Sequence, residues 1–125
     1  MAITFGSESI FSSNNIQECS VDILDSTHFV VAYQDRGNSN YGTAIIGTIA
    51  GDGSITYGSS VVFASAYSYD IHVKKLDSTR FVVVSNSSGG RSFIGTVANG
   101  NEISFGHNHC LQYYCIVDIL NEYEA

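Results

Sequence analysis

The chain has 125 residues, 44% of them hydrophobic and 14% charged, with a formal net charge of −7. That length bounds a single domain able to bury a core, and the composition excludes both a disordered chain and a helical membrane span. The five basic residues, Arg36, Lys74, Lys75, Arg80 and Arg91, cannot neutralise a stretch of phosphate backbone, so neither nucleic acid nor a membrane is expected as a partner. The opening M-A-I-T-F-G-S-E lacks a basic segment followed by an apolar one, so no signal peptide is expected; the compartment stays open.

In chain order, β-branched and aromatic enrichment predicts strands at Ile3 to Phe11, Glu18 to Leu24, His28 to Tyr33, Thr43 to Ile49 and Ser54 to Phe63. Turns fall at D-S-T (Asp25 to Thr27) and G-D-G (Gly51 to Gly53). Without proline, reversal is left to Gly, Asn, Asp and Ser. The series then repeats. V-D-I-L-D-S-T-H-F-V-V-A-Y (Val21 to Tyr33) returns as V-K-K-L-D-S-T-R-F-V-V-V-S (Val73 to Ser85), and its opening returns as V-D-I-L-N-E (Val117 to Glu122). I-T-F-G at Ile3, I-T-Y-G at Ile55 and I-S-F-G at Ile103 lie 52 and 48 residues apart, so four residues are lost between Leu76 and Gly95. Four more are lost between Gly106 and Cys115. The chain reads as one repeat-built domain, residues 1–125, with copies at about 12–63, 64–111 and, in part, 112–125.

Four short antiparallel strands recurring at about fifty residues are what a β-propeller blade requires. With strands labelled a to d from the axis outward, the order is d, abcd, abcd, then a at Cys115 to Leu120. The predicted fold is therefore all-β: two full propeller-like blades plus two orphan strands, closed by oligomerisation. A closed ten-stranded meander barrel is the rival. The pattern resembles the tandem propeller repeats of the kelch and FG-GAP type, with Gly89-Gly90 in the place of the kelch Gly-Gly; the first copy has Gly37-Asn38 there, and the chain has no Trp. An FG-GAP repeat would bring a calcium loop, but G-D-G-S offers only Asp52 and its counterpart is N-G-N.

The a-b and c-d ends carry tight turns, whereas the b-c and d-a end carries longer loops: Asp35 to Gly42, Asn86 to Ser92, Ala64 to Tyr69 and His107 to Tyr114. These loops mix flat apolar rings with hydrogen-bonding groups, a composition suited to sugars or polar protein surfaces. The candidate binding residues are Asn38, Asn40, Tyr41, Tyr67, Tyr69, Arg91, His107, His109 and Tyr114.

Other constellations are weaker. His107 and His109 alternate, and a metal would need a third ligand such as Cys110 or Asp118, so no metal and no cofactor is assigned. Cys19 and Cys115 share one repeat position that Ile71 fills in the middle copy, which predicts buried free thiols. His28 aligns with Arg80 beside the D-S-T turns and is expected as a solvated turn residue. Asp22 and Asp118 also share a position, with Lys74 between them; a glycosidase carboxylate pair and simple charge pairing both fit. The reading is a non-enzymatic recognition module for carbohydrate or protein that self-associates. Its alternatives are a purely structural self-assembling repeat, or a piece of a longer propeller, and then a glycoside hydrolase.

Overall fold

The computed structural model describes residues 2–106, which are all-β, without helix, and form one open antiparallel sheet. Its eight strands are β1 (Ile16–Ile23), β2 (His28–Asp35), β3 (Tyr41–Ile49), β4 (Ile55–Tyr57), β5 (Val61–Asp77), β6 (Arg80–Ser87), β7 (Gly90–Ala98) and β8 (Glu102–Phe105). The hydrogen-bonded order is β1-β2-β3-β5-β6-β7-β8, with β4 beside β3. Edge strands β1 and β8 do not pair with each other, so residues 2–106 do not form the closed meander barrel. The tenth predicted strand, Cys115 to Leu120, lies outside the described residues.

The long strand β5 organises the sheet. Its beginning runs beside β3, with Val62 opposite Thr43 and Ala64 opposite Gly42; its remainder runs beside β6, with Val73 opposite Val83. The two halves of the sheet thereby fold face to face. One continuous core joins Val30, Ala32, Ala44 and Ile46 of the first half to Ile71, Val73, Phe81, Val83 and Phe93 of the second. Alternation along β2 sends Val31 and Tyr33 to the opposite face, where Ile45, Phe29, Phe11 and Tyr57 meet them. Strand β2 is consequently apolar on both faces, whereas β6 buries Phe81 and Val83 and leaves Val82 and Val84 half-buried.

Several devices recur in both halves. Glu18 and Asp70, 52 residues apart, both take positive φ, 55° and 50°, at matching breaks in the β1–β2 and β5–β6 registers. Such a bulge re-aims the strand and sharpens its twist. Phe29 lies opposite Gly47, and Phe81 opposite Gly95, each ring covering a glycine that has no room for a Cβ. In the D-S-T turns, Asp25 Oδ1 accepts from the Thr27 amide (2.8 Å) and Asp77 Oδ1 from the Thr79 amide (2.9 Å). His28, expected as merely solvated, places Nδ1 2.9 Å from Asp25 Oδ1, as Arg80 Nε donates to Asp77 Oδ2 at 2.9 Å.

Three local expectations are corrected. Residues Ile3 to Phe11 form no strand: among the described residues no strand pairs with their backbone, and Ile3, Phe5 and Ile10 are exposed. Ala64 to Tyr69 is not a loop but the middle of β5, because its backbone finds partners first on β3 and then on β6. The turn in Asn86 to Ser92 contracts to Ser88 and Gly89, both at positive φ, the geometry of a two-residue hairpin loop. Since Gln34 pairs with Gly42 and Asn86 with Gly90, the four-residue loss reduces residues 35–41 to 87–89.

Candidate functional site

Backbone pairing, not loop clustering, gathers the predicted residues. The segment between β2 and β3 closes as a compact turn: the Asn38 and Asn40 amides donate to Asp35 O (3.0 and 2.9 Å), and the Tyr41 amide donates to Asn38 O (3.0 Å). Ser39 and Asn40 take positive φ there, a conformation that Asn tolerates. The Ser68 amide donates to Asn40 O (3.0 Å) and Tyr41 lies opposite Tyr67, which fastens this turn to β5. Tyr67 and Tyr69 alternate on β5 and so share one face; their rings meet edge to face at 5.9 Å. Both are exposed, Tyr67 at 58%. Asn38, Asn40, Tyr41, Tyr67 and Tyr69 thus make one patch. His107, His109 and Tyr114 lie outside the described residues.

Arg91 lies at the start of β7, opposite Ser85 of β6. Its Nε donates to Ser87 O (2.7 Å) and Nη2 to Ser88 O (3.4 Å), which holds the guanidinium over the Ser88-Gly89 turn. It borders a cleft of about 270 Å³ walled by Phe63, Ala64 and Ala66 of β5, Ser87 of β6, and Phe93 of β7.

Behind the cleft lies a buried polar cluster that the sequence reading missed. Gln34 Nε2 donates to Ser68 O (2.7 Å); Ser68 Oγ donates to Ala66 O (2.9 Å) and lies 2.8 Å from Ser87 Oγ, itself 2.7 Å from Ser85 Oγ. A hydroxyl has one proton to give. With Ser68 donating to Ala66, Ser87 must donate to Ser68 and Ser85 to Ser87. The available signal was in the repeat itself, where Ile16, Tyr33 and Asp35 of the first copy become Ser68, Ser85 and Ser87 of the second.

The remaining charged groups serve the fold. Asp22 Oδ2 accepts from the Lys75 amide (2.7 Å), and Ser20 Oγ accepts from the Val73 amide (3.1 Å), so β1 side chains clamp the backbone of β5. The Lys75 amide holds the Asp22 carboxyl below its ordinary range, as the Thr27 amide and then His28 do for Asp25. Burial and then the Asp35 charge push the Tyr33 phenol up to about 12. Cys19 is a free thiol, as expected, but among the described residues it is exposed rather than buried. In β5 the equivalent Ile71 is packed in the core. Cys110 and Cys115 lie outside the described residues. No group of three potential metal ligands occurs among the described residues.

Comparison of the chain with known protein families, curated proteins and solved structures found no match.

Proposed function

We propose that this chain is a non-enzymatic recognition module that binds carbohydrate or a protein surface through the end bearing Asn38, Asn40, Tyr41, Tyr67, Tyr69 and Arg91. Its two halves are propeller-type blades in this reading, with β1 and the second part of β5 as their innermost strands. The exposed Tyr67–Tyr69 pair, fastened beside the Asn38–Asn40 turn, carries the proposal. Rigid rings with phenol hydroxyls at their tips offer stacking faces and hydrogen bonds at low entropic cost, and asparagine amides add further donors and acceptors. A glycan and peptide array probed with wild type, Tyr67→Ala, Tyr69→Ala and Glu102→Gln tests it. Signal lost in both tyrosine variants and kept in Glu102→Gln, at the opposite end, supports the assignment; an array silent for wild type removes its support.

A second reading, self-association, rests on a different observation. Val73 is 7% exposed where β5 packs on the first half, whereas its repeat equivalent Val21 is 59% exposed on β1. Cys19 stands exposed beside Val21. A second copy presenting Val82 and Val84 of its β6 could cover this strip as Val30 and Ala32 cover Val73. Light scattering over a concentration series, on wild type and on Val21→Glu, tests this arrangement. A monomer throughout argues against it, and so does an oligomer that Val21→Glu leaves intact. For glycoside hydrolysis the position of Asp22 is unhelpful: its carboxylate is held ionised by a backbone amide between two strands.

A further inference from the structure

The two halves of the chain provide an internal comparison, because the position of the cleft is closed in one and open in the other. In the first half, Asn14 Nδ2 donates to Asp35 Oδ1 (3.0 Å), the Gly37 amide donates to the same oxygen (3.0 Å), and Gly37 packs so tightly on Asn14 that no Cβ fits. The repeat replaces Asn14 by Ala66 and Asp35 by Ser87, while the turn over them shrinks by four residues. Both plugging side chains and the strap above them are therefore gone. Phe63 is retained from Phe11, and Ile45 becomes Phe93, so the floor stays apolar and becomes more aromatic. Thr43 becomes Arg91 at the rim. Changes that empty the space and a change that adds a cation to it coincide.

The chemistry of the rim narrows the occupant. Arg91 spends Nε and one Nη2 hydrogen on two carbonyls, which fixes the plane of the guanidinium; no carboxylate pairs with it among the described residues. The outer edge formed by Nη1 and Nη2 is left to take a carboxylate in a two-pronged bond. Ser87 Oγ gives its proton to Ser68 and accepts from Ser85, so this buried hydroxyl is spent inside the wall and Arg91 carries the polar recognition. Phe63 and Phe93, both core residues, make the floor of the cleft apolar. A volume of about 270 Å³ falls just below the range of drug-sized sites and holds one ring, not an oligomer.

We infer that the cleft walled by Phe63, Ala66, Ser87, Arg91 and Phe93 binds one carboxylate-bearing sugar ring, a hexuronate unit, with its carboxylate on Arg91. The inference rests on the recognition reading above and specifies the ligand class for its arginine side. The test is calorimetric or saturation-transfer titration of the full chain with glucuronate, glucose and acetate. It uses wild type, Arg91→Gln, Tyr67→Ala and Ala66→Asn, which returns to the cleft the side chain that fills this position in the first half. Glucuronate should bind wild type at least tenfold more tightly than glucose or acetate. Arg91→Gln should reduce it to the level of glucose, and the plugged variant should lose binding while keeping the wild-type circular dichroism spectrum. Equal binding of glucuronate and glucose, or of glucuronate and acetate, would overturn the assignment, as would a folded plugged variant that still binds. Binding lost in Tyr67→Ala but kept in the plugged variant would overturn the cleft while leaving recognition at the tyrosine patch standing.

Discussion

The two phenylalanine-covered glycines offer a test of how tertiary packing sets the cost of one and the same local change. A Cβ on Gly95 would stand 2.2 Å from Phe81 Cζ, and a Cβ on Gly47 2.2 Å from Phe29 Cζ, so either alanine forces its ring to move. Neither glycine has a positive φ, so the backbone itself accepts alanine. The rings differ in their freedom. Phe81 is fully buried in the core between the halves and meets Phe105 edge to face at 5.9 Å, whereas Phe29 is half-buried near Tyr57 at the outer face and can swing towards solvent. Overpacking a tight core costs about 1–3 kcal/mol, which puts Gly95→Ala near the upper figure and Gly47→Ala near the lower. Any gain from stiffening the unfolded chain is common to both variants and cancels in their difference. That difference, about 2 kcal/mol, corresponds to roughly 8 °C in Tm for a domain of this size. Thermal melts followed by circular dichroism measure it directly. Equal losses in the two variants, or a larger loss in Gly47→Ala, would refute the assignment of the inter-half core as the less yielding of the two environments.

Asp22→Asn should cost under about 1 kcal/mol at neutral pH, since the group is solvent-facing, and it should flatten part of the acid limb of stability. The sign follows from the lowered carboxyl: its contribution is complete above the unfolded carboxylate range near pH ~4 and is lost as pH falls through the lower folded value, which acid titration of the melt will report. Tyr33 should ionise at about 12 in ultraviolet titration of the folded chain. Above pH ~10 the unfolded state releases that proton first, so stability should fall with rising pH; a Tyr33→Phe variant should lose that part of the dependence. Ser87→Ala removes the middle hydroxyl of the serine chain and leaves the Ser85 proton without its acceptor, an expected loss of about 1–3 kcal/mol by denaturant titration. Cys19 should alkylate under native conditions, as peptide mapping by mass spectrometry can show, and should become protected if a second copy covers β1.

Much of the strand layout was legible in the sequence. Every predicted strand from Glu18 to Ile49 has an observed counterpart within a few residues, because alternation and β-branching act locally and the D-S-T turns close through their own aspartates. The candidate patch was legible as residue types but not as geometry. Asn38, Asn40, Tyr41, Tyr67 and Tyr69 were assigned to separate loops, yet three of them sit on paired strands: the serines of Ala64 to Tyr69 conceal a period of two whose buried member is Ser68. The serine chain and the cleft escaped because they are contacts between strands far apart in sequence, although the repeat signals them where Asn14, Ile16, Tyr33 and Asp35 become Ala66, Ser68, Ser85 and Ser87.

The repeat by itself determined which segments alternate, where the chain reverses, and that Glu18 and Asp70, or Gly47 and Gly95, do the same backbone work in each half. It could not determine which side of each strand meets another layer. His28–Tyr33 and Arg80–Ser85 are close to identical in apolar pattern, yet among the described residues β2 is buried on both faces whereas β6 is buried on one and half-buried on the other. Cys19 and Ile71 hold one repeat position, yet one faces solvent and the other the core. The reason is physical: strand formation answers to neighbours two residues away, while burial answers to whatever layer the fold brings across some ten ångströms of side chains.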